Sequence, residues 1–175
     1  MGIVVQPADR SHFSRLRDIE RMAFETLRAV GAVSGEAKTN SDAELQAYLH
    51  DGLLYAAFDE SGEPVGYVGG FIAGDCLHVD EMDVHPDHQR RGIGRQMMEA
   101  ILREGRARKL VFATLTTDRF APFNAPFYAS LGFEIIEDEA LSERLRCMLE
   151  LEAEIGLDPR RRVAMRARLD RLSKV

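Results

Sequence analysis

Residues 79–98, VDEMDVHPDHQRRGIGRQMM, decide how this 175-residue chain is read. An acidic extended segment runs through a proline turn into a glycine loop and then a helix. Gln89, Arg90, Arg91, Gly92, Ile93, Gly94 and Arg95 make up the loop. Glycines at 92 and 94 let the backbone come close to an anion. The first turn of the helix behind them presents unpaired N–H groups and the positive end of its dipole. The stretch therefore reads as strand, phosphate cradle and helix in succession.

Working back from it, residues 53–58 and 64–73 are apolar and joined by the turn residues Asp59-Glu-Ser-Gly, a β-hairpin that residues 76–84 extend into a meander. Unbroken alternation along 76–84 puts Leu77, Val79, Glu81 and Asp83 on one face and His78, Asp80, Met82 and Val84 on the other. Acids on both faces are unusual for an internal strand, and a bulge is the device that would re-aim one. Upstream, residues 3–5 form a first strand. Ser11 can cap a helix with Phe13, Leu16, Ile19 or Glu20, Ala23 and Leu27 on its apolar face. A second helix starts at Ser41 or Asp42 and stops at Gly52.

Beyond the loop, Ile93, Met97, Met98, Ile101 and Leu102 stripe an amphipathic helix. Residues 110–115 are a short buried strand of the parallel type. Pro122 or Asn124 opens a short helix carrying Phe127, Tyr128 and Leu131, which Gly132 ends before a strand at 133–136. A helix over 141–155 and a final strand at 163–168, with Arg162, Arg166 and Arg168 on one basic face, complete the pattern. The expected architecture is one α/β domain over residues 1–175: a mixed, partly antiparallel sheet flanked by helices, βαβ crossovers following the meander, and an extra helix before the last strand.

Composition bounds the function. Hydrophobic residues make up 45% and charged residues 30%, an ordinary globular balance. Residues 1–8 lack the features of a signal peptide and no apolar run reaches a membrane span, so a soluble cytoplasmic protein with no membrane partner is expected. Cys76 and Cys147 suit neither a disulfide framework nor a zinc knuckle. The net charge of −6 argues against nucleic acid, although residues 158–175 carry seven Arg or Lys against two Asp. That basic run reads as an edge strand protected by charge in preference to a nucleic-acid arm. The acidic remainder would suit a cationic substrate.

Spacing separates the phosphate loops that could be confused here. A P-loop needs Gly-Lys-Ser/Thr where this chain has Gly94, Arg95 and Gln96, and a dinucleotide fingerprint needs a small residue at Met97. Gln89-x-x-Gly92-x-Gly94, directly after a strand ending Val84-x-Pro86, closely resembles the acyl-CoA loop of the GCN5-related N-acetyltransferases (GNAT). Residues 124–133, NAPFYASLGF, resemble the second signature of that family, in the right order after one helix and one strand.

The resemblance implies a GNAT-like fold and transfer of an acetyl group from acetyl-CoA to a primary amine by direct attack in a ternary complex. It implies that the backbone of Met82, Asp83 and Val84 pairs with the pantetheine arm. The N–H groups from Arg90 to Arg95 would then hold the pyrophosphate, with Arg90, Arg91 and Arg95 free to add contacts. By the same resemblance Tyr128 is the acid that protonates the departing thiolate. The family's Asn would fall at Ala121, so Asn124, one turn before Tyr128, is left to face the cofactor or cap its helix. An ammonium must lose a proton before it attacks a thioester, so a carboxylate is expected nearby. Glu81 is the first choice as base, with Asp80, Asp83 and His78 as substitutes.

His78, Asp80, Glu81, Asp83, His85 and His88 match no common zinc spacing, and no metal is expected. The acceptor side should be built from residues 20–40, the loop before Asp75 and the helix over 139–155. A small-molecule amine, a peptide N-terminus and a lysine side chain all remain open as acceptors, as does a homodimer. The rival reading is a non-catalytic acyl-CoA-binding regulatory module.

Overall fold

β-branched and aromatic runs become seven strands in the computed structural model, which describes residues 2–172. They are β1 (Val4–Pro7), β2 (Leu54–Phe58), β3 (Pro64–Ala73), β4 (Cys76–Val84), β5 (Phe112–Asp118), β6 (Glu134–Ile135) and β7 (Arg162–Arg168). The five helices are α1 (Phe13–Ala29), α2 (Asp42–His50), α3 (Ile93–Ala107), α4 (Ala125–Ala129) and α5 (Glu143–Glu154). The strands form one mixed sheet in the order β1-β2-β3-β4-β5-β7-β6. Among the described residues β4 and β5 are the one parallel pair, bridged by α3, and every other pairing is antiparallel. The expected mixed sheet with flanking helices is therefore what forms, but with a single βαβ crossover, because β6 returns to lie antiparallel beside β7.

Alternate residues of β2 enter two cores. Leu54, Ala56 and Phe58 join Phe13, Leu16, Ile19 and Leu45 under α1 and α2, while Ala57 joins Ile93, Met97, Met98 and Ile101 of α3 on the other face. Burying that α3 stripe, at roughly 1.5–3 kcal/mol per large apolar side chain, fixes the helix on the sheet and holds the preceding loop at the C-terminal end of β4, a central strand. The helix starts differ in detail from the sequence reading. Asp9, rather than Ser11, caps a 3-10 turn at Arg10–His12, and α1 follows at Phe13. Ser41 caps α2, reciprocated by Glu44.

Two strands depart further from expectation. The fifth begins at Phe112 and continues through Thr116, Thr117 and Asp118, because pairing with β7 carries it past its apolar run. The basic strand β7 is not an edge. It pairs with β5 along all of Arg162–Arg168 and with β6 on its other side, and its Arg166 and Arg168 guanidiniums stack over Phe112, 5.0 and 5.7 Å from the ring centre.

A bulge in the β3–β4 pair shapes the site. Gly69 faces Glu81 but Gly70 faces Val79, leaving Asp80 as the extra residue. Gly69 and Gly70 permit it. A Cβ at 69 would collide with the ring of Tyr48, and one at 70 with the carbonyl of His78. Strict alternation along β4 is thereby overturned: Leu77, Val79, Met82 and Val84 pack against the α3 core, and His78, Asp80, Glu81 and Asp83 share the opposite side.

Candidate active site

β4 and β5 pair only through Cys76–His78 and Phe112–Thr114, then separate. From Val79 to Val84 the edge of β4 away from β3 is left without a strand partner, so its backbone groups are open to a ligand in the gap. The gap holds two adjoining cavities, of about 340 and about 310 Å³. Leu27, Met82, Asp83, Asn124 and Tyr128 line both.

The smaller cavity is walled by the glycine loop. Gly92 is the N-cap of α3 at φ 78°, and Arg90 is also left-handed at φ 64°. No side chain caps α3, so its first N–H groups remain free for an anion. Gly94 faces the cavity, where a Cβ would stand 3.6 Å from Met82 Cε and Phe127 Cζ; its absence keeps the cradle open. Gln89 turns inward, donating from Nε2 to the Val84 carbonyl at 2.9 Å and to Thr26 Oγ1 at 3.4 Å, which ties the loop to β4 and α1.

The candidate cofactor residues divide by what they present. Arg90 and Arg95 line the cavity, and Arg95 also donates to Ser130 Oγ at 3.1 Å. Arg91 is exposed and outside the lining. Ile93 buries its side chain in the core and offers the cavity only backbone. This cradle fits an acyl-CoA pyrophosphate: a dipole end, a left-handed turn and two cations converge on one volume.

The larger cavity is acidic. Carboxylate oxygens of Glu20, Glu81 and Asp83 all lie within 4.8 Å of one another. Glu20 comes from the apolar face of α1, where it is 8% exposed and accepts from Asn40 N, Asn40 Nδ2 and the Tyr67 hydroxyl, the last at 3.0 Å. Burial, with Asp83 and Glu20 beside it, holds the Glu81 carboxyl well above the usual range. Burial and the Glu20 charge push Asp83 up to about 8, against a hydrogen bond from Glu81 that lowers it. The pair titrates as a unit around a proton donated from Glu81 to Asp83.

Tyr128 stands across from this pair, 8% exposed and edge-on to Phe127 and Phe133. Burial first, then the Glu81 and Asp83 charges, raise its phenol above the ordinary value, so it is a proton donor at neutral pH. The segment before it is anchored by Asp118, which accepts from Arg161 Nε at 2.7 Å and from the Phe120 and Ala121 N–H groups. Asn124 occupies the N-cap position of α4, but its side chain makes no capping hydrogen bond. It donates to Thr117 Oγ1 at 2.9 Å, and its buried Oδ1 has no partner among the described residues.

His78 and Asp80 lie on the same side of β4 as the pair, Asp80 as the bulged residue and His78 before it. His78 is fully buried, with Nδ1 2.9 Å from Thr114 Oγ1, and burial, then Arg144, lowers it to about 3. It is neutral and does not itself line the larger cavity, although its Nε2 lies 3.9 Å from Oδ1 of Asp80, which does. Val33 and Lys38 of the α1–α2 loop, Glu152 of α5 and Leu157 just beyond that helix wall this cavity; the loop before Asp75 does not reach it. Glu20, Tyr48 and Tyr67 escaped the sequence reading as site residues. Glu20 left one signal, a carboxylate on the apolar stripe of α1.

Residues 13–133 match the sequence model of the acetyltransferase (GNAT) family. The chain belongs to that family. Its fold is shared by PaiA N-acetyltransferase from Thermoplasma acidophilum, solved with coenzyme A (TM-score 0.71, 15% identity, 96% of this chain and 99% of that one). It is shared equally by the Escherichia coli ribosomal-protein-S18-alanine N-acetyltransferase (TM-score 0.67, 16% identity, 96% and 94%). N-acetylglutamate synthase from Neisseria gonorrhoeae, complexed with coenzyme A and N-acetyl-glutamate, matches 97% of this chain at TM-score 0.71 and 15% identity. This chain spans 35% of that longer protein. Such identities establish the GNAT fold and leave the substrate to be argued from the site. No helix among the described residues is long and apolar enough to cross a membrane.

Proposed function

We propose that the protein transfers an acetyl group from acetyl-CoA to a primary amine within a ternary complex. The observation that carries this reading is the junction of the two cavities, where Asp83 and Tyr128 border both. Acetyl-CoA supplies an activated thioester. Arg90, Arg95 and the α3 N-terminus bind its phosphates, and the open edge of β4 at Met82–Val84 aligns its arm.

The Glu81–Asp83 pair takes a proton from the acceptor ammonium, freeing the nitrogen to attack the thioester carbonyl. Backbone N–H groups near Met82 meet the oxygen that gains charge. The N–C bond forms, the C–S bond breaks, and Tyr128 delivers a proton to sulfur. Of the two protons the ammonium loses, one leaves to solvent through the pair and the other replaces the proton Tyr128 gave. Raised basicity suits Asp83 to an ammonium, because a carboxylate of ordinary pKa near 4 is far too weak a base to compete for that proton. Tyr128 gains acidity at the moment it is needed: once the pair takes its second proton, the negative charge that it still carried, and that helped to raise the Tyr128 pKa, is gone.

The test is CoA release with a panel of amines, run after acetyl-CoA binding has been shown by thermal shift. Release is expected. Binding without release from any amine would leave the regulatory acyl-CoA module as the reading.

A further inference from the structure

We propose that the acceptor is a short diamine or polyamine whose second ammonium is held by Asp80. This rests on the acetyl-transfer reading above and names its substrate class. The β4 bulge turns Asp80 onto the same side as Glu81 and Asp83, and its carboxyl lines the acceptor cavity. One oxygen, Oδ2, is taken by the Tyr48 hydroxyl, whose ring packs where a Cβ at Gly69 would stand. The other, Oδ1, is 3.9 Å from His78 Nε2, beyond hydrogen-bond reach.

That imidazole nitrogen is buried and has no partner among the described residues. A ligand N–H drawn to Oδ1 is also the group that would stand nearest to it. His78 is neutral, and the nearby Arg144, whose charge acts on Asp80 through space, donates from its guanidinium to Thr114 Oγ1 at 3.1 Å and forms no ion pair with Asp80. The cavity supplies little more. Of its two cations, Arg162 is bound to Glu152 (Nε to Oε2, 2.8 Å), leaving exposed Lys38 against the buried acids.

Asp80 and Asp83 are three residues apart on β4, about 10 Å along an ideal strand and less across a bulge. A molecule with its reacting nitrogen over Asp83 therefore reaches Asp80 through one short alkyl chain. A peptide N-terminus brings one cation followed by neutral amides, and offers Asp80 no second charge.

The test compares kcat/KM for linear α,ω-diamines of increasing length, alkyl monoamines of matched length, and a dipeptide. Diamines are expected to exceed matched monoamines by about tenfold or more, the value of one charge-assisted contact, with an optimum chain length. Asp80→Asn should collapse that ratio toward one. Tyr48→Phe, which keeps the ring over Gly69, should lower the ratio through a higher KM for the diamine. Acetyl-CoA binding by thermal shift verifies that both variants fold. Equal turnover of monoamine and diamine, a dipeptide preferred to both, or a ratio unchanged in Asp80→Asn would overturn the inference while leaving acetyl transfer intact. No turnover of any amine by the cofactor-bound protein would overturn both.

Discussion

The smaller cavity takes its anion cradle from one continuous loop, Gln89 to Arg95, backbone N–H groups with the Arg90 and Arg95 side chains, whereas the larger takes its polar groups from side chains on α1, the α1–α2 loop, β4 and α5. One wall is local and made of N–H groups that any sequence could offer once two glycines set the turn. The other is assembled by packing, and its character rests on which carboxylates face each other. The difference predicts where substitutions act: on reaction and proton transfer where side chains meet, and on cofactor affinity where backbone does.

The largest effect is expected at Tyr128, where the two walls join. Tyr128→Phe keeps the ring contacts with Phe127 and Phe133 and deletes the donor. Turnover should fall by about 10² to 10⁴, the usual range for a positioned acid, while acetyl-CoA affinity changes little. Stopped-flow or steady-state kcat beside a binding isotherm checks this, and an unchanged kcat would remove Tyr128 from the mechanism.

Asp83 comes next, because its carboxyl reports the packing of the acidic wall. It is neutral below about pH 8, so kcat/KM should rise as pH passes that value. Asp83→Asn should lower kcat/KM about 10²-fold and abolish that limb. The same group makes stability depend on pH. Its folded pKa is raised, so its contribution is full below the unfolded value near 4, falls as pH increases, and is gone above about 8. Thermal midpoints should therefore drop between pH 6.5 and 9, and the drop should shrink in Asp83→Asn. His78 works in the other direction: lowered to about 3, it favours the fold above pH 6.5 and opposes it in acid. A midpoint flat from pH 6.5 to 9 would falsify the shared-proton picture of the acidic wall.

How much of this was legible in the sequence follows the same division. The cradle could be read because a glycine pair before an amphipathic helix determines backbone geometry locally, and Gly92 does adopt the left-handed turn. Tyr128 and the acids of β4 could be placed near it by motif order. The facing of those acids could not, because alternation carries a strand only until a residue is inserted. Acids on both faces of residues 76–84 pointed to a bulge without placing it, and the structure places it opposite Gly69-Gly70. Glu20 was out of reach for a different reason: it is 61 residues upstream of Glu81 in sequence, and nothing local says that a carboxylate on an apolar stripe will meet two others on a strand. The basic strand misled because charge on alternate residues looks like edge protection until a guanidinium is seen stacked on Phe112.

Gly69 tests the bulge directly. An alanine there drives its Cβ into the Tyr48 ring, which must shift and carry its hydroxyl away from Asp80. Overpacking of this kind costs about 1–3 kcal/mol, and at about 2–4 °C per kcal/mol for a chain of this size the thermal midpoint should fall by several degrees. Tyr48→Ala removes a buried ring and destabilises by itself, so the two substitutions together should cost less than the sum of their separate costs. Additive costs would show that the penalty lies in the strand backbone and not in the collision.

Gly92 offers the smallest and most specific effect, on the backbone-built wall. A Cβ at this position meets nothing within 4 Å, so sterics with neighbours cannot be the reason for glycine. The reason is φ 78°, a conformation in which a side chain costs about 1 kcal/mol. Gly92→Ala should leave kcat nearly intact and raise KM for acetyl-CoA several-fold, as α3 loses the turn that aims its N–H groups. Gly92→Asn separates conformation from space. Asparagine tolerates the left-handed region better than alanine although it is the larger residue. Its KM should therefore lie between glycine and alanine; if it is higher than that of alanine, bulk near the bound phosphates and not backbone angle sets the requirement.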